Sequence, residues 1–200
     1  MTLPSALPEK STRLDLDGFS AAFAHAWSRL ERRFMKVECW QQYQELSGSM
    51  SQDAFRRGDM KLARELLRQE AEADQPLYED VRRKGIDYAR IRLVGLPLTA
   101  YLRYELMAYE IRGAMGETIE VVAQEAGEDC FDFLLFDRKC ALVHDYGTGP
   151  VGRQSGGWLV RDSGVLAVLE RKALELRRRA RPVREFMTTL PASQSTAPRD

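Results

Sequence analysis

Residues 86–94, IDYARIRLV, with 97–116, PLTAYLRYELMAYEIRGAMG, 117–124, ETIEVVAQ, and 128–137, EDCFDFLLFD, decide the fold. They read strand, helix, strand, strand. In the first segment Ala89, Ile91 and Leu93 alternate with Tyr88, Arg90, Arg92 and Val94, the period of two that sends successive side chains to opposite faces of a sheet. The apolar set is the core face. The other set is half polar, which places this strand near a sheet edge or along a cleft. Pro97 suits the first turn of the helix, where a missing N–H is no loss, and Gly116 ends it. That helix carries Arg103, Glu105, Glu110 and Arg112 among aromatics and aliphatics.

Working outward, CFDFLLFD connects through DRK to CALVHDYG, a spacing that reads as a hairpin. Towards the N-terminus, Asp17 is a good helix cap. Phe19, Phe23, Ala26, Trp27 and Leu30 follow at helical spacing over about 18–33, and FMKVECW alternates like a strand. The segment DMKLARELLRQEAEADQPLYEDVRRKG is helical in propensity, with Pro76 expected to divide it in two and Gly85 to stop the second part. The stretch GTGPVGRQSGGW reads as an irregular glycine-rich connection, and Asp162 or Ser163 caps a last helix over about 164–180. The expected fold is α/β, with α+β as the alternative: one mixed sheet of about five strands with helices packed on it. A flexible arm is expected over 1–16, one domain over 17–187, and a disordered tail over 188–200.

The chain has 200 residues, enough for a core of its own. Thirty basic and thirty acidic residues cancel, so no global field draws the protein to nucleic acid or membrane. No run of eighteen apolar residues occurs, and the N-terminus lacks the basic and apolar regions of a secretory signal, so the cytoplasm is the expected compartment. Cys39, Cys130 and Cys140 are widely spaced, form no CxxC pair and sit in apolar runs, which favours core packing over nucleophilic chemistry.

Three features could carry chemistry. The first is the loop Gly147–Gly157, which resembles a phosphate cradle but lacks both GxxxxGK[ST] and a GxGxxG opening a helix, so a plain connection is favoured. The second is a set of carboxylates, Glu105, Glu110, Asp129, Asp132, Asp137 and Asp145. Asp132 lies among Phe131, Phe133, Leu134 and Leu135, so facing inward it needs a partner, which Arg103 or Arg90 would supply. The third is the basic run RKALELRRRARPVREF, where Arg177, Arg178 and Arg181 are candidate partner contacts and a solvated helix face is the plainer reading. No GxSxG, HxxxH or DNA-reading motif is present. No cofactor and no metal is expected, and direct nucleic-acid binding is not.

With those residues in view, the chain resembles an uncharacterised actinobacterial family, domain-of-unknown-function family 6879. The resemblance lies in the helix with Tyr101, Arg103, Tyr104 and Glu105, the acidic-aromatic strand with Asp132, Phe133, Phe136 and Asp137, the FRRG at Phe55–Gly58, and the arginine-rich last helix. It covers about residues 19–187. Such proteins are often encoded beside helix-turn-helix regulators, which implies a regulatory or partner role and no settled activity.

Two readings follow. The leading one is a non-enzymatic cytoplasmic regulatory or protein-interaction domain, the partner of a transcriptional regulator. The alternative is a small-molecule-binding protein, or an enzyme acting on an anionic substrate, with Arg90, Arg92 or Arg103 holding the anion. Glu105, Asp132 and Asp137 complete its ligand-binding candidates. A well-formed cleft holding these residues with unpaired donors separates the second from the first. Homo-oligomerisation is open in both.

Overall fold

A computed structural model describes residues 7–43, 49–128, 131–146 and 153–191. Among them the strands are β1 (Ser11–Leu14), β2 (Arg33–Glu38), β3 (Asp87–Val94), β4 (Ile119–Ala123), β5 (Phe133–Phe136), β6 (Cys140–Asp145), β7 (Gly156–Val160) and β8 (Arg181–Pro182). The helices are α1 (Leu16–Ser28), α2 (Met50–Arg56), α3 (Met60–Arg83), α4 (Ala100–Ala114), α5 (Ser163–Arg179) and α6 (Val183–Thr189). All eight strands join one mixed α+β sheet in the order β1-β7-β6-β5-β2-β3-β4-β8, rather than the five or so expected. Strands β2, β3 and β4 run parallel and every other pairing is antiparallel.

The three additional strands were hidden by composition. Ser11–Leu14 lies in the segment expected to be a loose arm, yet it pairs antiparallel with β7. Strand β7 itself opens with two glycines, poor strand formers by propensity. Here they are required: a Cβ on Gly157 would stand 2.2 Å from the Val143 carbonyl oxygen and 2.6 Å from the Phe19 ring. Two-residue β8 arises because α5 ends before Pro182, which has no N–H for another helical turn. Pro76, by contrast, does not divide its helix; α3 runs unbroken through it for 24 residues. The cap of α1 is Asp15, whose carboxylate accepts from Gly18 N–H at 2.8 Å, in place of Asp17.

The predicted DRK hairpin is present. Asp137 and Arg138 take φ of 51° and 56°, a left-handed pair at the centre of a tight turn closed by Lys139 N–H on the Phe136 carbonyl at 2.8 Å. Gly85 (φ 65°) and Gly116 (φ 105°) follow the ends of α3 and α4 as expected.

The two faces of the sheet differ in chemistry. One is apolar: Met35, Val37, Ala89, Ile91, Leu93, Phe133, Leu135, Ala141 and Val143 pack against Val165, Leu166, Leu169, Ala173 and Leu176 of α5. Each fully buried Val, Leu, Ile, Met or Phe side chain there contributes about 1.5–3 kcal/mol. On the other face α1 covers Phe34, Leu134, Phe136 and Leu142, while α4 and α6 cover Val94, Ile119 and Val121. α3 packs on α4 through Ala63, Leu67, Tyr104 and Met107. Between α1 on one side and α3 with α4 on the other, the middle of β2 and β3 is left uncovered by helix, and this gap is the cleft.

Candidate functional site

Alternation builds the cleft floor. Strand β2 sends Phe34, Lys36 and Glu38 to this face and β3 sends Tyr88, Arg90 and Arg92, in a register that sets Lys36 opposite Arg90 and Glu38 opposite Arg92. Like charges directly opposite repel. Glu38 relieves the conflict by accepting from both, Lys36 Nζ at 2.7 Å and Arg90 Nη1 at 3.2 Å. Burial alone would raise the Glu38 pKa, but the combined field of Lys36, Arg90 and Arg92 outweighs it and holds the carboxyl well below its usual range.

Deeper, the carboxylate of Glu117, 4 % exposed, gathers three donors. Arg90 Nε reaches Oε1 at 2.6 Å, Tyr88 OH reaches Oε1 at 2.8 Å and Tyr78 OH reaches Oε2 at 2.7 Å. Arg112 donates in turn to Asp74 at 2.6 Å and to the Tyr78 oxygen at 3.0 Å. Burial pushes the Glu117 pKa up, and Arg90 with the two phenols more than reverses it.

The cavity measures about 1150 Å³, somewhat above the usual range for small-molecule sites. All seven tyrosines of the chain line it, as do Trp27 and Trp40. Tyr101, Glu105 and Tyr109 come from α4 at four-residue spacing, one face of the helix. Tyr109 OH stands 2.8 Å from Glu38 Oε2 and 2.6 Å from Glu105 Oε2. Trp40, Tyr43, Tyr101 and Tyr146 form a continuous wall, with ring centroids 5.1 Å (Trp40–Tyr146), 5.5 Å (Tyr43–Tyr146) and 6.1 Å (Tyr43–Tyr101) apart.

At the foot of this wall lies Arg92, 1 % exposed. Its Nη2 donates to the Trp40 carbonyl oxygen and its Cζ lies 5.7 Å from the Tyr101 ring centroid. Among the described residues its Nε has no acceptor and no carboxylate stands within ion-pair distance of it. Burial works to discharge the guanidinium, and the surrounding phenols and carboxylates keep it charged. Asp132 is fully engaged, accepting from Cys39 N–H at 2.7 Å, Trp40 N–H at 3.2 Å and Tyr146 OH at 2.9 Å. His144 stacks on Tyr146 at 5.5 Å, with both ring nitrogens buried and neither making a hydrogen bond among the described residues. Burial lowers its pKa to about 4.

Of the residues singled out from sequence, Arg90, Arg92, Glu105 and Asp132 meet in this cleft. Arg103 does not, and it makes no contact with Asp132. On a helix with about 100° per residue, position 103 lies roughly 200° from positions 101 and 105 and so faces away from the cleft they line. Asp137 is also elsewhere: its carboxylate accepts from Glu31, Arg32 and Arg33 N–H at 2.7–2.8 Å, fastening the start of β2 to the β5–β6 turn. Arg177 is held within the protein by Glu120 (3.1 Å) and Asp87 (2.8 Å), whereas Arg178 and Arg181 are exposed. Cys39 is buried and Cys140 half-buried. Asp129, Cys130, Gly147–Gly152 and the end of the tail from 192 lie outside the described residues.

Sequence reasoning missed Lys36, Glu38, Glu117 and the tyrosines. The first two carry a signal, since they alternate with Met35, Val37 and Cys39. Glu117 carries none, because it sits in the short link between α4 and β4.

The family model described as Domain of unknown function (DUF6879) matches residues 21–188. The chain belongs to this family. No curated protein matches it. Among solved structures, one similar in outline is that of TrmBL2, described as an archaeal chromatin protein with a novel mode of DNA binding. The identity is 10 % and the TM-score 0.40; the match covers 86 % of this DUF6879 chain and 52 % of the other, so the chain spans about half its length. A likeness that weak carries no argument for this DUF6879 member.

Proposed function

We propose that the protein is a small-molecule-binding domain whose ligand enters between α1 and α3–α4 and rests on the floor made by β2 and β3. The observation that carries this reading is Arg92: a buried guanidinium with an unmatched Nε, at the foot of a cleft into which every tyrosine of the chain is gathered. Leaving a charged donor unmatched in a low-dielectric site is costly, and an acceptor on a ligand removes that cost. Three of the carboxylates here point to binding rather than turnover. Glu38, Glu117 and Asp132 are each occupied by resident donors, so none of them is free to shuttle a proton.

A regulatory role fits the same site. Occupancy of the cleft would bias the packing of α1 against α3 and α4, and a protein partner would meet the exposed Arg178, near the end of α5, and Arg181, on the edge strand β8.

Native mass spectrometry of the purified protein, incubated with a metabolite library, tests the reading. A bound mass is expected that is lost when Tyr101→Ala and Arg92→Met are combined. No bound mass at saturating ligand, or one indifferent to both substitutions, would overturn it.

A further inference from the structure

The charges and rings of the cleft narrow the class of ligand, given that the cleft is a small-molecule site. Among the described residues six carboxylates line it against four permanent cations, and Glu117 lies buried beneath. The local balance is therefore negative, and a phosphate or other multiply charged anion is repelled. A cationic head is disfavoured too. Lys36, Arg90 and Arg112 are matched by Glu38, Glu117 and Asp74, but Arg92 has no carboxylate of its own and would repel a second cation at its side. What Arg92 lacks is an acceptor at Nε.

A donor is wanted close by. The one hydroxyl hydrogen of Tyr109 lies between oxygens of Glu38 and Glu105 and serves only one of them. Glu38 is already supplied by Lys36 and Arg90, whereas Glu105 accepts from no other group among the described residues. Tyr101, whose ring lies 5.7 Å from the Arg92 guanidinium and which precedes Glu105 by one turn of α4, belongs to the wall of Trp40, Tyr43, Tyr101 and Tyr146, which favours a planar group.

The mouth is different. Of the six large hydrophobic residues exposed among the described residues, three line this cleft, each from a different helix: Leu16 of α1 (38 % exposed), Met50 of α2 (70 %) and Leu77 of α3 (38 %). A polar, ring-walled floor below an apolar rim suits an elongated molecule.

We infer that the ligand is an uncharged amphiphile: a planar aromatic or heteroaromatic head presenting an acceptor to Arg92 and a donor to Glu105, with an apolar tail lying along Leu16, Met50 and Leu77. The head sits deep because only there do the unmet donor and acceptor coincide with the rings. The tail accounts for a cavity larger than a single ring system needs.

Calorimetric titration with 2-alkyl-4-quinolones, from methyl to heptyl, tests the class. Their ring N–H and carbonyl supply the donor and acceptor. Affinity is expected to rise roughly three- to fourfold for each methylene buried at the rim. The double variant Leu77→Asp with Met50→Asp, at exposed positions that do not disturb the core, is expected to flatten that rise while keeping the affinity of the methyl compound. Arg92→Lys is expected to weaken every member of the series about equally. Alkyl phosphates and alkyltrimethylammonium ions of matched length are the comparison. Should either bind more tightly than the quinolones, with its binding still dependent on Tyr101, the class is wrong and the cleft stands as a small-molecule site. Should affinity ignore chain length, the rim has no part in recognition and the amphiphile is overturned. Should none of the three series bind at millimolar concentration, while the native mass-spectrometric screen also finds no cleft-dependent ligand, the small-molecule reading falls with it.

Discussion

Arg92 donates through Nη2 to the backbone carbonyl of Trp40 and leaves its Nε facing no acceptor. A buried charge without a carboxylate partner is a poor stabiliser, and replacing such a charge by an apolar side chain of similar volume is often neutral or better. Arg92→Met is therefore expected to leave the urea midpoint unchanged or higher while reducing ligand affinity at least tenfold. A loss of several kcal/mol in stability would make Arg92 a structural residue instead.

Glu117 is the opposite case. It satisfies Arg90, Tyr78 and Tyr88 at once. Glu117→Gln removes the negative charge and leaves Arg90 with only Glu38, so a loss on the order of 3 kcal/mol is expected. Equilibrium denaturation in urea reads it directly, and the contrast with Arg92→Met separates the network that holds the fold from the group that awaits a ligand.

His144 sets a pH dependence. Its pKa is near 4 in the folded protein against an ordinary 6.5. The unfolded chain thus takes up this proton first as pH falls. The stability held by neutral His144 is fully present above 6.5 and is lost progressively between 6.5 and 4, in total by about 3 kcal/mol. Melting temperatures across this range should fall less steeply for His144→Phe than for the wild type; identical slopes would mean that His144 is not the group responsible.

Gly157 tests the packing of β7. Any Cβ there meets the Val143 carbonyl oxygen and the Phe19 ring, so Gly157→Ala is expected to cost about 2 kcal/mol or more, with β7 or α1 displaced. Amide exchange of β6 and β7 would show faster opening in the variant; unchanged protection would mean that β6 and α1 both yield without cost.

How much of this was legible depends on where each residue sits. The alternation in IDYARIRLV placed Arg90 and Arg92 together on a polar face of a strand, and that face proved to be the cleft floor of a central strand. Asp132 was found because a carboxylate among phenylalanines has to be satisfied. Arg103, expected to pair with Asp132 or to hold an anion, shares a helix with Glu105 but lies about 200° around it and so outside the cleft. The sheet was undercounted because β1 is short and polar, β7 opens on two glycines, and both depend on partners distant in sequence. The tyrosine wall was invisible for the same reason: Tyr43, Tyr101 and Tyr146 are brought together only by the sheet order, and no local period connects them.

That wall also provides the most direct test. With tyrosine rings labelled with carbon-13 and tryptophan indoles with nitrogen-15, every tyrosine resonance reports on the cleft, while Trp158, outside it, serves as an internal control. Titration with the compound of highest occupancy by native mass spectrometry should shift several of the seven tyrosine signals and the indole of Trp40, and leave Trp158 in place. Saturable binding that moves Trp158 and leaves the tyrosines untouched would contradict the assignment of the cleft as the ligand site.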